Sequence, residues 1–284
     1  MKIGKFQINT VETCIFYLDG GAMFGIIPKT IWSKNYDKGD ELNRIPLSAR
    51  LLIIRWEDKI CLVDTGNGMK LNEKLQKIYN FDINNCDTSK ILLPLGLNAE
   101  DITDVILTHL HFDHSGGATK FENGELMPSF PNAKYYVQKE QYEWGMNPSD
   151  KDRASFFKEN YEPLKINGIL ELLDGEGELF PGIELITLYG HTKCMQAIKI
   201  NDGGSTAFYP ADLCPTTAHI GIPYVMGYDN EPLQTIAEKK KILPMAYEGN
   251  WTFIYEHDAY TQATKIISNE KGFFAGEKID INID

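Results

Sequence analysis

The sequence predicts an α+β fold organised as one domain. Short apolar runs typical of buried strands recur along the chain, and stretches with helical composition lie between them. With 284 residues, the chain is near the upper size of a single domain and long enough to bury a substantial core. We therefore expect one domain over residues 1–284, with inserted loops.

Composition and charge exclude several classes of function. The chain is 43% hydrophobic and 24% charged, as is usual for a globular protein, and no apolar stretch is long enough to cross a bilayer. A formal net charge of −12 without a basic patch argues against nucleic-acid binding. The start of the chain lacks the apolar core of a signal peptide, and the five cysteines form no C-x-x-C pair. We therefore expect a cytoplasmic protein with reduced thiols and no nucleic-acid or membrane partner.

The amino-terminal half alternates predicted strands with short helices. The predicted strands are residues 5–18, 51–55, 60–64, 105–107 and 134–137, of which the second and third form a β-hairpin. The predicted helices lie near residues 70–80, as a short turn after an Asn98 cap, and from Lys139 onward.

The carboxyl-terminal half has the same character. The predicted strands are residues 183–188, 196–200, 206–209 and 251–255, and the last of these is the last clear strand of the chain. A turn signal at residues 201–204 joins the middle two strands as a hairpin. Residues 231–247 are helical by composition, and the charge run at residues 238–241 is interpreted as a solvent-exposed face.

Three irregular segments are predicted to be ordered loops that cover a pocket. These segments are residues 20–46, 144–164 and 214–230. Met23, Phe24 and Trp32 either line a substrate pocket or form a satellite core. Tyr224 and Tyr228 either contact the substrate or serve in packing.

Four side chains that can bind a metal ion follow directly after the strand-like run 105–107. They are His109, His111, Asp113 and His114. In extended backbone the first two point to the same side, whereas a turn after them can aim the other two at a second point. One loop could therefore serve two metal ions. Imidazole and carboxylate ligands without thiolate suit zinc, iron, manganese or cobalt.

Further candidate ligands each follow a predicted strand. His191 follows the strand that ends at residue 188, Asp212 follows residue 209, and His257 follows residue 255. Ligands on rigid strand ends can be held to the tolerance that metal ions require. Because five of the six histidines belong to this pattern, we predict that these residues share one metal site.

The motif at residues 109–114, His-x-His-x-Asp-His, resembles the leading signature of the metallo-β-lactamase-fold hydrolases. The Asp-Thr-Gly sequence at residues 64–66 resembles a second signature of that family, and Gly-His-Thr at residues 190–192, Asp212 and His257 continue the pattern in order. This resemblance covers most of the chain. It implies a four-layer αβ/βα sandwich, with two mixed β-sheets flanked by helices and a dinuclear metal site at one edge.

The resemblance also implies a role for each matched residue. One metal ion would be bound by His109, His111 and His191, and a second by Asp113, His114 and His257. Asp212 would bridge the two ions, and Asp64 would support the site from behind the ligands. The implied cofactors are two divalent metal ions, with zinc favoured and iron, manganese or cobalt as alternatives.

The pattern is most similar to the branch of N-acyl-homoserine lactonases and related esterases and phosphotriesterases. Asp212 stands where classical zinc β-lactamases carry cysteine, which disfavours a β-lactam substrate. Lys-Cys-Met-Gln at residues 193–196 replaces the Pro-Gly-His of many relatives, and Pro215 replaces the tyrosine with which the lactonases contact the substrate carbonyl. His219 either stands in for that tyrosine as a catalytic donor to the oxyanion or has a structural role.

These implications predict a hydrolase with a small-molecule substrate. A hydroxide that bridges the two metal ions would attack an ester, lactone, thioester or phosphoester bond. Asp113 would hold the water and pass its proton to the leaving group. The alternatives are a diiron protein of the same fold that handles oxygen or nitric oxide, and a non-catalytic metal-bound ligand-binding protein. The sequence leaves open whether the chain forms a homodimer.

Overall fold

The computed structural model describes residues 1–282, apart from the side chains of residues 85, 88 and 89. Contacts within the chain divide it into two compact units. Unit 1 comprises Met1–Lys5, Tyr17–Ser48 and the chain from Glu176 onward, and unit 2 comprises Phe6–Phe16 and Ala49–Gly175. The single domain over residues 1–284 stays a prediction.

The described residues form strands and helices along the whole chain. The strands are β1 (Lys2–Ile3), β2 (Phe6–Asp19), β3 (Arg44–Trp56), β4 (Lys59–Val63), β5 (Asp104–Ile106), β6 (Thr119–Glu122), β7 (Glu125–Pro128), β8 (Lys134–Gln138), β9 (Leu170–Leu173), β10 (Gly177–Phe180), β11 (Ile183–Leu188), β12 (Met195–Asp202), β13 (Ser205–Tyr209), β14 (Thr252–Ile254), β15 (Ala263–Asn269) and β16 (Gly272–Ile279). The α-helices are α1 (Gly20–Phe24), α2 (Lys29–Asn35), α3 (Glu73–Ile78), α4 (Thr88–Ile91), α5 (Phe112–Ser115), α6 (Lys139–Met146), α7 (Glu162–Ile166) and α8 (Pro232–Glu248).

Unit 2 holds most of a mixed sheet with the strand order β1-β2-β3-β4-β5-β8-β9. β3 and β4 are antiparallel, whereas β4, β5, β8 and β9 run parallel to one another. The central strands are apolar because both of their faces are covered: Leu51, Ile53, Val105 and Val137 belong to one buried core. The carboxyl ends of the parallel strands therefore lie at one edge of this sheet.

Unit 1 holds a second mixed sheet with the strand order β10-β11-β12-β13-β14-β15-β16. Its neighbouring strands are antiparallel except for the parallel pair of β13 and β14. The buried residues Met195, Phe208 and Phe253 of this sheet share a core with Ile242 and Leu243 of α8. This packing sets the position of α8 within the unit.

The α+β class with mixed sheets and helices is confirmed. The predicted hairpins, the strands at residues 105–107 and 183–188, and the Asn98 cap all occur. The prediction that residues 251–255 are the last clear strand is wrong, since β15 and β16 follow. β16 lies at the sheet edge without buried residues, so its sequence lacks the apolar alternation that identifies a strand.

The interpretation of residues 238–241 as a solvent-exposed face is wrong for its first two positions. Glu238 is 7% exposed and Lys239 is 0% exposed, whereas Lys240 and Lys241 are exposed. Positions three and four apart lie on the same face of a helix, and Glu238 and Lys239 fall on the face of α8 that Ile242 buries. The position of a residue around the helix, and not its charge, therefore determines whether it is buried here.

The structure also bears on the predicted loops and cysteines. Residues 20–46 contain α1 and α2, so this segment is ordered as expected. All five cysteines are buried free thiols. Among the described residues, no helix has both the length and the apolar character needed to span a membrane.

Candidate metal centre

Unit 2 presents its candidate ligands in the loop that follows β5. His109 and His111 come first, and α5 begins directly after His111, whose backbone is extended. Nε2 of His109 lies 3.0 Å from Nδ1 of His111, and Nε2 of His114 lies 3.9 Å from Oδ2 of Asp113. Ligands about 2.0–2.2 Å from a zinc ion are roughly 3–4 Å apart in tetrahedral geometry. These spacings therefore match ligand pairs around a cation.

Two glycines allow the loop after β4 to contact the candidate metal-binding loop, residues 107–117, closely. A Cβ atom on Gly116 would lie 2.0 Å from the carbonyl oxygen of Asn67, and one on Gly68 would lie 2.2 Å from that of Gly116. The Thr65 amide donates to the carbonyl of His114 at 2.7 Å. The backbone of His114 is thereby fixed from the end of β4.

Asp64 connects the end of β4 to side chains of the candidate metal-binding loop. Its Oδ1 accepts from the Thr108 amide at 2.7 Å, and its Oδ2 accepts from the Thr108 hydroxyl at 2.6 Å. The same Oδ2 lies 3.0 Å from Nδ1 of His114. Asp64 is 0% exposed and has a φ of 58°, so it occupies a turn and also contacts a candidate ligand.

Unit 1 brings together the other three candidate ligands. Oδ2 of Asp212 lies 3.2 Å from Nε2 of His191, and Oδ1 of Asp212 lies 3.2 Å from Nε2 of His257. The two imidazoles are 2% exposed and the Asp212 residue is 6% exposed. One carboxylate thus faces two separate imidazole nitrogens, as expected of a carboxylate that bridges two cations.

Hydrogen bonds fix the outward nitrogens of these two imidazoles. Nδ1 of His191 lies 3.0 Å from Oδ1 of Asp229, and Nδ1 of His257 lies 2.8 Å from the carbonyl oxygen of Ser48. A carbonyl can only accept, so Nδ1 of His257 carries the proton and its Nε2 keeps a lone pair. Such partners orient ligating histidines and fix their tautomer.

Sequence reasoning missed both of these partners. The role of Ser48 rests on a backbone oxygen, which no side-chain pattern can indicate. Asp229 is 2% exposed within the predicted loop 214–230, and this burial, which would have marked it as a partner, becomes visible only in the structure.

The donor set fits divalent metal ions. All seven predicted ligands belong to groups of buried histidine and aspartate side chains that could hold a metal ion. Imidazole and carboxylate donors suit zinc, iron, manganese and cobalt. None of these groups includes a cysteine.

His219 lies apart from His191, Asp212 and His257 in its contacts within unit 1. Its Nδ1 lies 2.7 Å from the Thr216 hydroxyl and its Nε2 lies 2.8 Å from the Met23 carbonyl oxygen. Its ring stacks on Phe24 with a centroid distance of 4.6 Å. Burial, with a smaller contribution from Lys239, lowers the pKa of His219 to about 4. Because both ring nitrogens have protein partners, the geometry favours the structural role that the sequence left open.

The aromatic residues of segment 20–46 form a packed cluster around Phe24. Met23, Phe24 and Trp32 are 1%, 0% and 1% exposed, and the Phe24 and Trp32 rings stack at 5.2 Å. This burial favours the satellite core over the substrate pocket. The Tyr224 hydroxyl accepts from Asn35 at 3.0 Å, and Tyr224 and Tyr228 are half-buried, so their substrate contacts stay predictions.

Comparison with known sequences gives a family match over most of the chain. Residues 51–245 match the family model described as the metallo-beta-lactamase superfamily. An N-acyl homoserine lactonase of Bacillus cereus is 32% identical over 112 residues, which are 39% of this chain. The chain spans 37% of the length of this curated relative.

Comparison with solved structures gives similar folds over nearly the whole chain. A probable metal-dependent hydrolase from Staphylococcus aureus matches with a TM-score of 0.88 and 30% identity, over 98% of this chain and 100% of that chain. AidC, a dizinc quorum-quenching lactonase solved in complex with a product, matches with a TM-score of 0.81 over 98% of this chain and 96% of that one. At 20% identity, the second match shows the fold alone.

The contact between Asp64 and His114 predicts a role in metal affinity. Asp64→Asn keeps the size of the side chain but removes a carboxylate oxygen that faces the imidazole. We expect metal affinity to fall by about 10- to 100-fold, the usual cost of losing a partner that orients a ligating histidine. Competition with a chromophoric chelator measures this affinity. The exposed Asp58→Asn is the control, and equal affinities in the two variants would refute the role of Asp64.

The lowered pKa of His219 predicts a contribution to stability that depends on pH. Since its pKa is about 4 in the folded chain and 6.5 in an ordinary environment, the unfolded chain binds the proton more readily between these values. The contribution is therefore complete above the unfolded pKa and is lost as the pH falls towards the folded pKa. The stability difference between the wild type and His219→Gln should narrow on acidification in denaturant titrations. A difference that is constant with pH would contradict this assignment.

Proposed function

Because the chain belongs to the metallo-beta-lactamase superfamily, we propose that it is a metal-dependent hydrolase of a small-molecule ester, lactone, thioester or phosphoester. The observation that carries the proposal is the Asp212 carboxylate, whose two oxygens each lie 3.2 Å from the Nε2 atom of a different buried histidine. This geometry supports a carboxylate shared by two cations. An isolated ion pair would engage one histidine only.

Seven residues would hold two divalent ions. In this proposal the first ion is bound by His109, His111 and His191, the second by Asp113, His114 and His257, and Asp212 binds both. Zinc is the favoured metal, with iron, manganese and cobalt as alternatives. The hydrogen bonds of Asp229 and the Ser48 carbonyl support this assignment, because they engage Nδ1 of His191 and of His257. Nε2 of each histidine is then left to face the Asp212 carboxylate.

Asp113 is the residue proposed for proton transfer. When bound, divalent ions lower the pKa of coordinated water and polarise the substrate oxygen. The Asp113 side chain is 10% exposed, so its carboxylate is largely shielded from bulk solvent. It would hold the attacking water by a hydrogen bond, accept its proton and deliver that proton to the leaving group. A carboxylate within hydrogen-bond reach of the water satisfies the requirement for a general base.

Lactones and other esters are the first substrates to test. The Bacillus cereus relative is named an N-acyl homoserine lactonase, and the AidC structure contains an N-acyl homoserine product. A lactone is a cyclic ester, so the same chemistry serves both. Pro215 stands at the position of the lactonase tyrosine, which leaves the acyl group and the ring of the substrate unassigned.

Metal removal tests the proposed function directly. Protein purified without chelator should contain two divalent ions per chain and hydrolyse at least one member of a panel of esters, lactones, thioesters and phosphotriesters. Exhaustive chelation should abolish turnover, and one of zinc, iron, manganese or cobalt should restore it. A protein loaded with two metal ions that hydrolyses no member of the panel would overturn the proposal. Redox-active iron with oxygen or nitric-oxide turnover would replace it with the diiron alternative.

Asp113→Asn tests the proton-transfer step separately from metal binding. We expect kcat to fall by about 10²- to 10⁴-fold, the usual contribution of a general acid–base, while much of the metal remains bound. Steady-state kinetics and metal analysis on the same sample measure the two quantities. Asp150→Asn is the matched control, because that side chain is 95% exposed and pairs only with Arg153 among the ion pairs described. Full turnover at full metal content would reject the role of Asp113.

A further inference from the structure

α8 carries a carboxylate and an amine side by side on its buried face. Glu238 is 7% exposed and Lys239 is 0% exposed, and the hydrogen bonds described for the two side chains involve different groups. Burial of an ionisable group costs free energy unless hydrogen bonds compensate for the lost water. The partners of these two groups therefore indicate what they are for.

Glu238 holds the chain at the point where β11 ends. Its Oε1 accepts from the Tyr189 amide at 2.7 Å, and its Oε2 accepts from the Gly190 amide at 3.2 Å. These two residues directly precede His191. The Gln234 side chain also donates to Oε1 at 3.0 Å, which orients the carboxylate.

The same segment is fixed from the start of α8. The Glu231 amide donates to the Gly190 carbonyl at 2.8 Å, and the Asn230 amide donates to the His191 carbonyl at 3.0 Å. A Cβ atom on Gly190 would lie 2.3 Å from the Thr235 hydroxyl oxygen, so only glycine permits this approach. Hydrogen bonds from α8 and from the residues just before it therefore fix the backbone of His191 and of the residues that precede it.

Lys239 binds a different segment, residues 219–224, which follows Asp212 in the chain. Its Nζ donates to the His219 carbonyl at 2.5 Å, to the Tyr224 carbonyl at 2.6 Å and to the Gly221 carbonyl at 3.4 Å. Burial lowers the pKa of this amine. Three carbonyls around one amine use all of its donors, so the amine has no remaining capacity for another partner.

We propose that Glu238 and Lys239 are positioning residues, with Glu238 fixing the backbone that presents His191 and Lys239 fixing the loop of residues 219–224. The proposal rests on the proposed function only for its effect on metal binding and turnover. Its structural content is that one helix sets two separate loops of unit 1 through two distinct side chains. A role in core packing alone would not require charged groups, because apolar residues fill a buried position at lower cost.

Hydrogen exchange on metal-free protein separates the two side chains. Glu238→Gln replaces one accepting oxygen by an NH2 group, which faces a backbone amide. We expect the Tyr189 and Gly190 amides to exchange roughly tenfold faster or more, while residues 219–224 are unchanged. Lys239→Met should do the reverse, with faster exchange confined to residues 219–224. Lys240→Met is the matched control, because Lys240 is exposed at the next position, and it should alter neither segment.

Three outcomes would overturn the proposal. These are unchanged exchange in both variants, equal acceleration in both segments in either variant, and acceleration spread over α8 and its sheet. If Lys239→Met fails to fold, Lys239→Gln retains a shorter donor and should show an intermediate acceleration that is still confined to residues 219–224. Thermal unfolding of each variant identifies global destabilisation, which would otherwise resemble a local effect.

Metal binding provides a second readout. On zinc-loaded protein, Glu238→Gln should lower the affinity for the ion proposed to bind His191 by about tenfold, as measured by chelator competition. The same change should lower kcat more than it raises KM. Lys240→Met should leave both quantities unchanged. If the wild type hydrolyses nothing, the proposed function fails while the exchange result stands. If the wild type hydrolyses its substrate and exchange is unaltered in the variants, this inference alone fails.

Discussion

The site depends on hydrogen bonds that fix the outward nitrogens of its buried imidazoles. His191 and His257 meet Asp229 and the Ser48 carbonyl, respectively, and a buried carboxylate serves His114 in the same way. A buried imidazole nitrogen without a partner would cost free energy, and a ring free to rotate could not aim its other nitrogen. Each contact therefore provides a hydrogen-bond partner for a buried nitrogen and also fixes the orientation of the ring. A histidine that binds a cation requires both.

The strand ends supply the rigidity on which those contacts rely. Asp64 stands at the end of β4 and receives two hydrogen bonds from Thr108, directly beyond the parallel strand β5. Gly68 and Gly116 bring the two loops within backbone contact, where any side chain would separate them. The position of His114 thus follows from strand pairing, a turn aspartate and two residues without Cβ atoms.

The parts of the site that the sequence predicted are those encoded locally. The candidate ligands at residues 109–114 lie within six residues of one another, and the strand pattern identified β5, β11 and β13, each of which precedes a candidate ligand. The partners Asp229 and Ser48 could not be predicted, because each contacts its histidine only after the chain has folded back over many residues. Lys239 shows the same limit, since a run of charges resembles a solvated face until the packing of the helix is known.

The buried charges on α8 follow from the way a strand-end site is built. The candidate ligand His191 lies beyond the last paired residue of β11, and there the backbone amides no longer have a neighbouring strand whose carbonyls accept their hydrogen bonds. Leaving a buried amide or carbonyl without a hydrogen bond costs about 1–3 kcal/mol. An apolar residue on α8 would avoid the free-energy cost of burying one charge, but it would leave two or three backbone groups without hydrogen bonds. Glu238 accepts from two such amides and Lys239 donates to three carbonyls. The projection of the candidate ligand His191 past the sheet therefore accounts for Glu238, whereas Lys239 satisfies the buried carbonyls of the separate loop of residues 219–224.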